Sequence, residues 1–398
     1  MSIKPQATTF SSDHLFRLKP LAASVRIVMA GGLLVGSVVP AHAELPIPVA
    51  GQGWVSSGSA TSQIIGNTMR IDQQTDRATL NWQSFNVGRE NTVQFVQPDS
   101  SSIALNRIGQ QDASRILGQI IANGQVYLYN KNGFVFGKDS VVNANSFLAS
   151  TLEITDEAFN RGITRVFDEN GTAALGVNDG AKLDPKTVQI LIEAGAKIHV
   201  DKGGRIIIAA PTIENKGSLS TEEHGQIILA ASQDRVYLQE ADKDSPFAGL
   251  VVEVNTGGKV SNIGDIFAKQ GNVTMAGFAV NQQGRVSATT SVNVNGSIRL
   301  VAQEFALEAG KDPSKGKLQA TKTTRAPDNN DGLGTTAKLT FDSGSVTQIV
   351  ADDDGITAID DKLQPQSYIE GKAHTVELKA NSLLLRLGVR LILLQPII

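Results

Sequence analysis

The chain contains no cysteine. That excludes a disulfide framework and any thiolate metal site. A chain of this kind is held by burial and backbone hydrogen bonds alone, with no crosslink to form before folding. Aromatic residues make up only 5% and charged residues 19%, whereas glycine is abundant at 38 of 398 residues. These proportions fit neither a helical bundle nor a disordered segment; they fit a β-rich fold with many turns. Clustered basic residues are also lacking, and the net charge is -3. Nucleic acid is therefore not an expected partner, because phosphates select grouped Lys and Arg. The length accommodates one large or two ordinary domains.

No apolar run reaches the roughly 20 residues a spanning helix needs. Residues 27–39 form an apolar run of 13 that includes three glycines. Lys4, Arg17, Lys19 and Arg26 precede or open it, and Ala41-His42-Ala43 follows as a small-x-small site. Together they read as a secretory signal peptide over residues 1–43, cleaved after Ala43. Its removal takes away four basic residues and one acidic one, so the net charge goes from -3 to -6.

Beyond residue 45, only residues 186–196 offer a candidate for helical periodicity. Short strands dominate instead, at 78–85, 92–96, 102–107, 125–129 and 133–136, and Asn-Gly or Gln-Pro-Asp-Ser turns separate them. A weak repeat follows. Segments beginning at Gly204, Gly225, Gly271 and Gly296 share a Gly, a polar-containing step and an apolar strand ending in small residues. The gaps are 21, 46 and 25 residues, and the middle one admits two units with an insertion. A second element, near Asn215, Asn262 and Gln283, is interleaved with the first. Two strands per unit at a period of about 20 to 25 residues point to a β-solenoid, whose stacked coils share one core. An antiparallel sandwich is the competing reading, but it lacks a coil-length period.

Residues that do acid, base or metal chemistry are sparse. His199, His224 and His374 stand isolated, and the acidic run Asp352-Asp353-Asp354-Gly355 lacks the alternating spacing and distal Glu of a calcium loop. It reads as a solvated turn. No catalytic residue, metal ligand or cofactor is assigned. The triplets at Asn170, Asn272 and Asn295 fit the glycosylation pattern, which arises often by chance.

The densest information lies in residues 81–151. Asn81-Trp82-Gln83-Ser84-Phe85-Asn86-Val87-Gly88 is followed in order by blocks containing Asn106-Arg107, Asn123-Gly124, Phe136-Gly137-Lys138 and Leu148-Ala149-Ser150-Thr151. This series resembles the secretion domain of filamentous haemagglutinin-like exoproteins of two-partner secretion, closest to the high-molecular-weight adhesin branch. The resemblance is strong over about residues 50–160 and weaker to about 310. It implies an all-β, right-handed parallel β-helix with an N-terminal cap and extra-helical insertions. It further implies export by the general secretory translocon and passage through an outer-membrane β-barrel transporter with periplasmic domains. The product would be secreted or held at the surface of a Gram-negative cell, with a host-cell or matrix receptor as a further partner.

The family's Asn-Pro-Asn-Gly turn, linked to transporter recognition, stands here as Asn130-Lys131-Asn132-Gly133. Lysine does not preset φ as proline does, so the turn is less rigid before folding. The second turn of the haemagglutinin branch, Asn-Pro-Asn-Leu, is absent. Trp82 and Phe85 are expected to pack under a cap rather than contact the transporter, and Asn143 and Asn145 to form a capped turn, with a side-chain ladder or a further recognition element as the alternatives.

The domains expected are a signal peptide at 1–43 and a secretion domain with cap and first coils at 44–160. Further coils follow at 161–310 with an insertion near 161–200, then a loop or linker at 311–336. Residues 337–398 are read as a partial repeat whose tail matches no coil and resembles a truncated end. A secreted adhesin or haemagglutinin, or the N-terminal part of one, is the leading function. A β-helix polysaccharide lyase or hydrolase is one alternative, although the converging carboxylates it needs are missing across 204–302. The N-terminal fragment of a contact-dependent toxin is another.

Overall fold

Short apolar runs ended by Asn or Gly fold into strands, each supplying one side of a coil. A computed structural model describes residues 44–164, 173–177, 181–241, 249–291, 295–309, 318–322, 333–352, 367–386 and 391–394. The signal peptide and Ala43 lie outside the described residues. From Ser114 onward the chain visits three parallel sheets in a fixed cycle. One turn of that cycle runs through Phe134–Phe136, Val141–Ala144 and Ser146–Ser150. The fold is a right-handed parallel β-helix, the hand that parallel crossovers adopt. At its start, Ile47–Pro48 and Val55–Ser57 pair antiparallel with Arg77–Ser84, and Ala60–Ile65 pairs antiparallel with Thr68–Gln73. These pieces cap the first coil.

The four repeat segments are consecutive strands of the sheet that contains Gln125–Tyr129 and Ser146–Ser150, called the first sheet below, with Arg205, Gln226, Asn272 and Ser297 in register. The 46-residue gap holds a single coil, not two. Its extra length is a hairpin, Arg235–Glu240 and Leu250–Val254, which leaves the coil and pairs antiparallel. The repeat glycines have a role that turn chemistry does not supply. A Cβ on Gly271 would stand 2.2 Å from the Gly225 carbonyl oxygen, and one on Gly204 would stand 1.9 Å from that of Asn145. Close approach between coils requires glycine there.

Two apolar cores result among the described residues. The first fills the coil interior, from Met69 and Trp82 through Phe134 and Phe147 to Ile369. The second lies outside the first sheet, where Leu105, Leu148, Ile228 and Ala230 are covered by Phe159, Leu175, Val236 and Val252 of the inserted segments. Burial on both faces explains why Arg205–Ala210 and Gln226–Ala231 read as continuous apolar runs. Arg299 clasps the hairpin, donating to Glu370 at 2.7 Å and to Glu253 at 3.5 Å.

Four expectations change. The helix α1 is Asp156–Arg161, capped by the Thr155 side chain, and residues 186–196 are not helical. Gln189–Ile192 and Lys197–Val200 are coil strands, so the insertion ends before residue 189. Four residues with two pointing inward satisfy a coil strand, and that pattern is short enough to be mistaken for a helical turn. Within 311–336, Leu318–Lys322 forms a strand antiparallel to Phe305–Ala309; most of the remaining stretch lies outside the described residues. The tail also joins the coils. Leu383–Arg386 pairs with Val346–Ala351, and Leu391–Leu394 pairs with Tyr368–Lys372. Leu384 packs on the core while Leu383 and Leu385 stay exposed, an alternation that the leucine-rich sequence concealed.

Candidate functional site

Asn130, Lys131, Asn132 and Gly133 close the corner between Gln125–Tyr129 and Phe134–Phe136. The Gly133 amide donates to the Asn130 carbonyl at 3.0 Å, and the Asn132 amide donates to the Asn130 side-chain oxygen at 2.9 Å. Asn130 is fully buried. Its Nδ2 donates to the Asp112 carbonyl and to Ser114 Oγ, both at 3.0 Å, which ties the turn to the preceding coil. Asn132 adds a 2.7 Å bond from Nδ2 to the Gln110 carbonyl. Gly133 has φ +104, and a Cβ there would lie 2.2 Å from the Gln189 carbonyl oxygen. Lys131 alone projects into solvent. The turn therefore presents one cation on a corner whose other side chains are spent on fastening coils.

The remaining motif residues assemble the cap and first corners. Asn81 Nδ2 donates to the Gly53 carbonyl at 2.9 Å and so holds the capping segment. Trp82 is 1% exposed, lies edge-on to Trp54 and Phe85 at 5.8 and 5.2 Å, and donates from Nε1 to Asn106 Oδ1 at 2.9 Å. Asn106 in turn donates to the Ala104 and Tyr127 carbonyls. Asn86 accepts from the Arg115 amide at 2.8 Å. Arg107 binds the Ile154 carbonyl and Asp156 Oδ1, both at 3.0 Å, and secures α1. Asn123 exchanges two 2.8 Å bonds with the Gln97 backbone, and Gly124 faces Gln97 Oε1 closely enough to exclude a side chain. Asn143 is exposed on the second sheet, beside His199 in register, and the Asn145 amide donates to the Gly124 carbonyl. No ladder joins Asn143 to Asn145.

Sequence reasoning missed a real ladder. Asn215, Asn262 and Gln282 are buried one above another, with amide bonds of 2.8 Å and 3.0 Å between successive side chains. The signal was present in the interleaved second element, where each repeat places an amide before its Gly. Gln110 was missed too: Oε1 accepts the Phe85 amide at 2.8 Å, and its carbonyl serves Asn132. His199 contacts Ser220 Oγ at 2.9 Å, and His374 lies 3.3 Å from Glu304. Of the acidic run, only Asp352 is among the described residues, where it accepts from Gln270 at 2.7 Å. Among the described residues, no group of three acidic or histidine side chains is placed to hold a metal ion.

With coil, cap and turn in place, residues 51–320 match the family model described as the TPS secretion domain. The chain belongs to the TPS secretion domain family. Two curated relatives, each called heme/hemopexin-binding protein, come from Haemophilus influenzae. One is 28% identical over 297 residues, covering 72% of this chain and 30% of the relative; the other is 38% identical over 86 residues, covering 22% and 9%. The chain thus spans less than a third of the length of either relative. Among solved structures, the HMW1 secretion domain from Haemophilus influenzae is 22% identical with a TM-score of 0.48, covering 84% of this chain and 98% of that one. The filamentous hemagglutinin secretion domain is 14% identical with a TM-score of 0.36, covering 65% and 93%. As a TPS secretion domain, the chain is part of a two-partner secretion exoprotein.

Proposed function

We propose that this chain directs its own export through an outer-membrane β-barrel transporter with periplasmic domains, and that the Asn130–Gly133 corner is a recognition element for that partner. The match of residues 51–320 to the secretion domain carries the reading, and the single exposed cation at Lys131 marks where the corner is open to contact. The secretory translocon would deliver the chain to the periplasm, and the product would be secreted or surface-held. Coil-by-coil folding outside the cell supports export without ATP, because each completed coil templates the next and opposes return.

The test is co-expression with the transporter of the same locus, scoring exported protein for wild type, Lys131→Glu and Asn132→Ala, with refolding of each purified variant measured in parallel. Recognition predicts lost export with normal refolding for Lys131→Glu. Unchanged export in both variants would sink it.

We infer a non-enzymatic role for the exported product, with adhesion as the reading that follows from the resemblance to the adhesin branch. A second reading has its own support: both curated relatives are heme/hemopexin-binding proteins. Capture of hemopexin from serum by the purified exoprotein, against capture of host cells, separates the two.

A further inference from the structure

The outer face of the first sheet is apolar where inserted segments cover it, but it turns cationic beside the end of α1. A cleft of about 340 Å³ opens there between the sheet and residues 159–164. Arg77, Arg161 and Arg205 line it together with Tyr127 and Ser146, over an apolar floor that includes Ile207. Arg77 and Arg205 sit at the starts of strands on either side of the Tyr127 strand. Both lie near enough to the Tyr127 phenol to counter, in part, the burial that pushes it up to about 12.

The three cations are not equally engaged. Arg77 donates to the Phe159 carbonyl and lies over the Phe159 ring, 5.5 Å from its centroid. Arg161 is 3.6 Å from Glu157. The Arg205 backbone amide donates to Ser146 Oγ at 3.1 Å, while its guanidinium has no ion-pair partner among the described residues. A guanidinium carries five donors in a planar fork suited to carboxylate or sulfate. The cleft is also far larger than a bare ion needs: a water molecule takes about 30 Å³ of liquid volume. Cations, a hydroxyl and a phenol above an apolar floor match a ring that carries acid groups, hydroxyls and C–H faces together.

We propose that this cleft binds an acidic saccharide, its carboxylate or sulfate held by Arg205 and its ring laid over Tyr127 and Ile207. The site is separate from the Asn130–Gly133 corner, so it stands or falls apart from the secretion reading. Calorimetric titration of the purified chain with a sulfated uronic-acid disaccharide, at low ionic strength, tests it. Binding is expected for that disaccharide and not for maltose, with affinity falling as salt rises. Arg205→Gln is expected to weaken it at least about tenfold, the loss of one charge-assisted hydrogen bond, while Arg205→Lys retains part. Should Arg205→Gln fail to fold, Arg161→Gln at the exposed end of α1 replaces it, with weaker binding again expected. Absence of heat with the acidic disaccharide, or unchanged affinity in the variants, overturns the proposal. Displacement by an equal concentration of inorganic sulfate reveals a bare-anion site and overturns it as well.

Discussion

At the scale of single residues, the Asn130–Gly133 corner separates fastening from display. Asn130→Ala removes two side-chain donor bonds and the acceptor for the Asn132 amide. It is expected to cost about 2–3 kcal/mol in denaturant unfolding, whereas Lys131→Ala stays within about 0.5 kcal/mol. Lys131→Pro restores the residue that the family pattern carries and narrows the unfolded ensemble. An increase of about 0.4–1 kcal/mol is expected, and a loss would show that the native φ at 131 does not suit proline. Sequence alone identified this turn through its Asn and Gly, yet it left open which asparagine was buried. That depended on Asp112 and Ser114, residues 16 to 18 positions earlier that become neighbours only when the coil closes. The ion-pair corner formed by Lys202, Glu223 and Lys269 was hidden for the same reason. Glu223 is held below the usual carboxylate range, first by the hydrogen bond from Lys202 and then by that from Lys269, each at 3.0 Å. A depressed carboxyl stabilises the fold above its unfolded value and loses that contribution as pH falls through its folded one. Wild type should therefore lose more of its denaturant midpoint than Glu223→Gln as pH is taken below about 4; parallel curves would exclude the effect.

At the scale of elements, each strand answers to two neighbours along the stack and to whatever covers its outer side. The amide ladder is the sharpest case. Replacing Asn262 by Leu leaves the Asn215 and Gln282 amides without their shared partner, at an expected cost of about 2–4 kcal/mol by chemical denaturation. Substituting all three positions together should cost less than the sum of the singles, since no orphaned amide remains. The hairpin at 235–254 does a different job. Exchanging it for a short turn should preserve the β spectrum while uncovering Ile228 and Ala230, and the readout is increased binding of a hydrophobic dye with lower solubility. Strand positions were largely legible because alternation and Gly spacing are local. The outer core was not, because continuous apolar runs such as Arg205–Ala210 announce burial on both faces without saying what lies over the second one.

At the scale of the whole molecule, spontaneous refolding of the chain lacking residues 1–43 to a β-type circular dichroism spectrum is expected, and a mainly helical spectrum would contradict the fold. The period of the sequence predicted the solenoid, while the leucine-rich tail concealed that the coils continue through it. The coil also sets a conversion between two lengths. Gln125 pairs with Ser146, 21 positions further on, and 21 extended residues measure roughly 70 Å. The same 21 residues advance the stack by only about 4.8 Å, one strand spacing. Threading a single coil through a narrow opening therefore draws some fifteen times more contour than the folded rod gains in height, a ratio that follows from these two spacings. Pulled from one end, such a rod would pay out like line from a reel: long, even lengths of slack for each small step of the axis, and a longer one wherever a hairpin was wound in.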